Sequence, residues 1–109
     1  MSALTDLARG KPCMVRLPGC CNGNDETTVF SHYRLAGTCG TGKKPDEWQG
    51  SWSCSACHDE CDRRTRTLET DFVRLAHAEG MVRTLYRIVR DHPATLIRYL
   101  TMRFLKRAA

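Results

Sequence analysis

The sequence predicts an α+β fold in which a small β-turn-β-helix unit precedes a helical C-terminal part. Three features carry that prediction. β-Branched and aromatic residues collect around residues 27–34, apolar residues recur at helical spacing after residue 70, and seven cysteines offer a staple. At 109 residues with 7% aromatic content, the chain makes one domain with a small core. A domain of that size gains from a cross-link or a bound metal.

Taken in order, residues 1–12 read as a loose lead-in. CMVRLPGCCNGN opens with a short extended piece, Met14 to Leu17, and then turns through Pro18, Gly19 and Asn22-Gly23-Asn24. TTVFSHYR, Thr27 to Arg34, has the composition of a strand. AGTCGTGKKPDEWQG, with four glycines and a proline, is a long loop, and GSWS, Gly50 to Ser53, is a second short strand. Helical patterning starts at Ser55. Thr70 is the expected N-cap of a helix beginning at Asp71, with apolar positions Phe72, Leu75, Val82, Leu85, Ile88 and Val89 and a kink or break at Gly80. His92-Pro93 ends it, and Pro93 suits the first turn of a last helix. Leu96, Ile97, Leu100 and Phe104 form that helix's apolar stripe, expected in the core or a dimer contact, with Arg98, Arg103, Lys106 and Arg107 around it. The expected organisation is a lead-in over 1–12, a core unit over 13–67 and basic helices over 68–109 packed on it as a single domain.

The cysteines read as metal ligands. Their number is odd, Cys20 and Cys21 are adjacent, and the first residues lack the apolar segment of about 7–15 residues that export requires. With no apolar run long enough to span a bilayer, this predicts a reducing cytoplasm and no membrane association. Cys54 and Cys57 form a C-x-x-C pair where strand becomes helix, a spacing that brings two thiolates to one tetrahedral zinc. Cys13 and either Cys20 or Cys21, on the two sides of the Pro18-Gly19 turn, are the remaining candidates. Structural zinc contributes about 10–16 kcal/mol of apparent binding energy at neutral pH.

Net charge is +5, unevenly spread: six Lys/Arg face eight Asp/Glu over residues 1–62, and eleven face four over residues 63–109. The arginine-rich C-terminal part is suited to polyanions, because guanidinium meets phosphate through two parallel hydrogen bonds. It also fits an ordinary solvated helix surface.

Within CSACHDECDRR, His58 and Asp62 are four residues apart, so they share a helix face with Cβ atoms about 5–6 Å apart. Such a pair can hold a second divalent ion, although spacing alone leaves His58 open as a knuckle ligand and Asp62 as a surface charge. His32 lies near the end of the first strand. A strand bearing histidine, a loop, a short strand and a helix bearing histidine and a carboxylate is the layout of the ββα-metal, or HNH, nuclease site.

KPCMVRLPGCCNGN, ETTVFSHYRLAGTCGTGKKPDE and CSACHDECDRRTR together resemble a phage and prophage family of HNH nucleases that includes a RecA-dependent phage endonuclease. The resemblance runs from about Arg9 to Arg66 and more loosely to Val89; the residues from Arg90 extend beyond it. It implies a zinc-stabilised ββα-metal core with Cys13, Cys21, Cys54 and Cys57 as zinc ligands. It further implies His32 as general base and His58 and Asp62 as ligands of a catalytic Mg²⁺ or Mn²⁺. DNA is the implied substrate, with Arg34, Arg63, Arg64 and Arg66 on its phosphates, in the cytoplasm of a bacterial host. A RecA-type filament is an implied partner, and the last helix a possible oligomer contact. Ser31 stands where the family motif has an Asp or His ligand, and the middle Asn has no counterpart, Asp46 being the nearest polar residue. Those departures leave a zinc-bound DNA-binding or adaptor module without catalysis as the alternative. Cys20, Cys39 and Cys61 have no assigned role.

Overall fold

Four consecutive buried residues, Gly50-Ser51-Trp52-Ser53, make one short strand the centre of the molecule. The computed structural model describes residues 3–40 and 42–105. In it β1 (Val29–His32) pairs antiparallel with β2 (Gly50–Ser53), with Phe30 opposite Trp52 and His32 opposite Gly50. α2 (Ser55–Cys61) follows β2 directly, α3 (Thr70–Asp91) runs along β2, and α4 (Pro93–Leu100) returns towards the N-terminal turn α1 (Ala3–Asp6). A π-helical turn, Thr101–Leu105, extends α4. The fold is α+β, and Lys106 and Arg107 lie outside the described residues.

A two-stranded sheet has backbone groups that no third strand satisfies, and the surrounding elements take them up. The Trp52 N–H donates to Thr84 Oγ1 of α3 at 3.0 Å, and the Trp52 carbonyl accepts from Met14 N–H at 2.7 Å. Gly50 is required opposite His32: a Cβ there would collide with the Ser31 carbonyl and lie 2.6 Å from the Phe30 ring.

Two apolar clusters flank the sheet. Leu4, Ala8, Met14, Trp52 and Ile88 form one, with Leu96 and Tyr99 of α4 packed against it. Cys13, Val15, Leu17, Cys54, Cys57 and Val73 form the other.

Several expectations change. The lead-in is not loose, since Leu4 and Ala8 are core residues. Met14 to Leu17 is an irregular bend with Arg16 at φ 56°, and the first strand starts only at Val29, after a 3₁₀ turn over Asp25–Thr27. The N-cap of α3 is Glu69, whose carboxylate accepts from Asp71 N–H at 2.6 Å. α3 runs through Gly80 as one 22-residue helix. A Cβ at Gly80 would lie 3.0 Å from Val15 and 3.1 Å from the Met14 carbonyl, so this glycine serves close packing. The inward face of α3 is Val73, His77, Gly80, Thr84 and Ile88, whereas Phe72, Leu75, Val82 and Val89 are exposed. On α4 it is Leu96 and Tyr99 that pack, while Ile97, Leu100 and Phe104 remain largely in solvent. No helix of the described residues is long and apolar enough to cross a membrane.

Candidate functional site

The Pro18-Gly19 turn, with Gly19 at φ 72°, sends Cys20 and Cys21 N–H groups back to the Leu17 carbonyl at 3.1 and 2.9 Å. This brings Cys21 beside Cys13 from the preceding bend. Cys54 caps α2, its sulfur accepting from Cys57 N–H at 3.4 Å, while Cys13 accepts from Arg16 N–H at 3.4 Å. The four sulfurs of Cys13, Cys21, Cys54 and Cys57 lie within 4.8 Å of one another, and Cys21 and Cys54 are 3.8 Å apart. Tetrahedral coordination with Zn–S near 2.3 Å sets sulfurs about 3.8 Å apart, so the set could hold a metal such as zinc. Four thiolates would leave no open coordination position, so a metal held there would be structural rather than catalytic by its donor chemistry.

The protons distribute unevenly. Cys57 donates to Cys13, which pulls Cys13 down to about 4 and pushes Cys57 up. Cys61 is pushed up to about 12, first by burial and then by the charge of Cys13, so it stays a thiol and packs on the cluster as a small apolar group. Cys20 donates to the Ala56 carbonyl at 3.5 Å, and Cys39 sits apart, 3.8 Å from the Leu35 carbonyl.

The next turn of α2 carries His58, and Asp62 caps the helix's C-terminus, with Nε2 and Oδ2 3.8 Å apart and Asp62 about half exposed. Ser31 Oγ is 2.6 Å from His58 Nδ1 and also hydrogen bonds Ser53. If Ser31 accepts from Nδ1–H and donates to Ser53, the Nε2 lone pair faces Asp62, which is the tautomer a metal ligand requires. His77, buried on α3, lies 3.1 Å from the Ser31 carbonyl through Nε2. Burial pulls its pKa down, so the neutral ring donates that bond.

His32, the next residue on β1, points to the opposite face from Ser31 by strand alternation. Its ring meets Phe30 edge to face at 5.0 Å. Burial, Lys44 and Arg34 pull its pKa down, and Asp62 partly offsets them. It lines a cleft of about 740 Å³ between residues 44–47, α1 and α4. The structure thus joins His58, Asp62 and Ser31; it places His32 at the same end of the sheet without direct contact to them among the described hydrogen bonds. Asp46 also lines the cleft, but its carboxylate pairs with Arg103 at 3.1 Å.

The arginines divide. Arg63 turns inward, donating to the Leu68 carbonyl at 3.4 Å and lying 3.8 Å from Glu60. Arg64 extends to Asp62 at 3.6 Å, Arg66 bonds the Arg63 carbonyl, and Arg34 bonds the Gly40 carbonyl, all three on exposed residues. Buried Glu60 holds this segment. It accepts from Thr65 at 2.5 Å, from Thr67 N–H and hydroxyl at 3.1 and 2.8 Å, and from Leu68 N–H at 3.2 Å. These bonds, Thr65 foremost, lower its pKa to about 2. Sequence reasoning missed Glu60, His77 and the Ser31 contact. For His77 a signal existed, since 73, 77, 80, 84 and 88 are spaced as one helix face.

A family model described as "Putative nuclease YbcO" matches residues 2–92. "Putative nuclease YbcO" of Escherichia coli (strain K12) is 51% identical over 84 residues, covering 77% of this chain and 88% of the relative. "Putative nuclease ybcO" of Enterobacteria phage 82 gives the same identity and coverage, 51% over 84 residues. A solved structure of a "putative bacteriophage protein from Escherichia coli str. K-12 substr. MG1655" superposes with a TM-score of 0.68 at 41% identity, covering 78% of this chain and 94% of that one.

Proposed function

The chain belongs to the family described as "Putative nuclease YbcO", and from that membership we propose that it is a metal-dependent DNA endonuclease of the HNH, or ββα-metal, type. The observation that carries the reading is the His58–Asp62 pair on α2, 3.8 Å apart and steadied by Ser31, beside a strand that ends in His32. Two donor atoms each about 2.1 Å from one ion lie no more than about 4.2 Å apart, so the pair suits a Mg²⁺ or Mn²⁺ that keeps several waters. The four-cysteine site takes zinc in this reading and serves the fold.

In the mechanism, neutral His32 removes the proton from a water that attacks the phosphodiester phosphorus. Its depressed pKa keeps it in the accepting form at neutral pH. An ion at His58 and Asp62 would supply Lewis-acid stabilisation of the scissile phosphate and the departing oxygen. Ser31 and Ser53 fix the His58 ring, and Asp62 remains open to solvent at the end of α2. Arg34, Arg64 and Arg66 meet neighbouring phosphates, while Arg63 braces the loop through Glu60. The pairing of Asp46 with Arg103 favours the second reading, a zinc-bound DNA-binding module without hydrolysis, because no hydrogen bond among the described residues then orients His32.

A plasmid-nicking assay with Mg²⁺ or Mn²⁺, with and without a RecA-type filament, separates the two. His32→Ala should lower the nicking rate by about 10²–10⁴-fold, the usual contribution of a general base. Full activity in that variant would remove His32 from the mechanism, and an inactive wild type in every condition would favour the binding module.

A further inference from the structure

Beyond the catalytic pair, the cleft beside His32 is a built feature, and much of its outer wall comes from α4 and the following turn. Those residues lie past position 92, where the family match ends. Lys44 on one wall and Arg98 on the other have no side-chain ion pair or hydrogen bond to any described residue, so two cations face the same space. Arg103, by contrast, is committed to Asp46 at 3.1 Å and ties α4 to residues 44–47. Tyr99 does the same through its hydroxyl, which accepts from Glu47 N–H at 3.2 Å and leaves its ring as wall.

Resting on the nuclease reading, we propose that this cleft binds a single-stranded DNA segment of about two nucleotides that flanks the bond presented to His32. The size fits. A volume of about 740 Å³ lies within the roughly 300–1,000 Å³ of pockets that enclose drug-sized ligands, and it admits no duplex. The chemistry fits as well. Single-strand sites combine a cationic groove along the backbone with aromatic surfaces for the bases, and here Lys44 and Arg98 meet phosphate while Tyr99 and Met102 offer flat or apolar surface. Glu47 Oε1 is buried in the wall with no partner among the described residues. It is an acceptor suited to the amino group of a base, since it would repel a phosphate. His32 lines the same space, so a strand held there lies beside its ring.

The test is fluorescence anisotropy of the full chain with a labelled 12-nucleotide oligodeoxycytidylate, whose bases carry the amino group that Glu47 would accept from, and with a 12-base-pair duplex, over a salt series without added Mg²⁺ or Mn²⁺. The double substitution Lys44→Glu/Arg98→Glu should weaken single-strand binding at least tenfold and leave duplex binding within twofold. Arg98→Gln, which breaks no ion pair, should reduce the slope of log affinity against log salt by about 0.7 for the single strand. Equal losses for single strand and duplex, or no loss for either, would overturn the proposal. Because binding is read without cleavage, the groove stands or falls separately from the enzyme: single-strand binding through the cleft without nicking would sink only the nuclease reading.

Discussion

Ser31 occupies the place where the motif calls for an Asp or His ligand, and read from the sequence it is a gap. In the folded chain its hydroxyl lies 2.6 Å from His58 Nδ1 and bonds Ser53, which turns the gap into an orienting contact. Removing such an outer contact costs a metal site about 10–100-fold in affinity. Ser31→Ala should therefore raise the Mg²⁺ concentration for half-maximal nicking by about 10–100-fold, while activity at saturating Mg²⁺ and zinc content stay close to wild type. An unchanged Mg²⁺ dependence would make Ser31 mere filling. That His58 and Asp62 lie together was legible because i, i+4 proximity is a local property of the chain. Ser31's partner was not, because a contact across 27 residues depends on how β1 lies against α2.

The helix α3 teaches the same lesson over 22 residues. Its periodicity correctly announces a helix, yet the most apolar stripe is not the buried one. Phe72, Leu75, Val82 and Val89 are exposed, and His77, Gly80 and Thr84 face inward. The reason is that α3 packs against the backbone of β2 and of residues 14–15, where a close approach and hydrogen-bonding groups matter more than side-chain hydrophobicity. Thr84 makes this testable. Thr84→Val fills the same volume but leaves the buried Trp52 N–H without its acceptor, a loss of about 1–3 kcal/mol. Thr84→Ser keeps the hydroxyl. Urea melts should find the valine variant less stable than the serine one, against the order that apolar burial alone predicts; the reverse order would mean that the Trp52 N–H is satisfied elsewhere.

For the molecule as a whole, the chain solves a shortage of core by dividing its stability between two clusters. One is aliphatic and aromatic around Trp52; the other is built on the cysteines, where Val15, Leu17 and Val73 pack on sulfur. The C-x-x-C spacing and the Pro-Gly turn made that second cluster readable in advance, because ligand spacing for a tetrahedral metal is a short-range constraint. Spacing left Cys20 and Cys21 open and the family resemblance chose Cys21; in the fold it is Cys21 that joins the cluster, while Cys20 turns to the Ala56 carbonyl. Cys13 and Cys21 tie the N-terminal bend to Cys54 and Cys57 at the start of α2, and α2 carries His58 on its next turn and Asp62 at its C-cap. Removal of a metal held by these four cysteines should consequently disorder the candidate site together with the fold. Exhaustive chelation should abolish the near-ultraviolet circular dichroism of buried Trp52 and, with it, nicking. Zn²⁺ should restore the signal, Zn²⁺ together with Mg²⁺ should restore nicking, and Mg²⁺ alone neither, since hard oxygen-seeking ions do not replace zinc on four thiolates. A chelated protein that kept its near-ultraviolet signal would show that the two clusters are independent, and one that regained nicking with Mg²⁺ alone would separate the cysteine site from the positioning of His58 and Asp62.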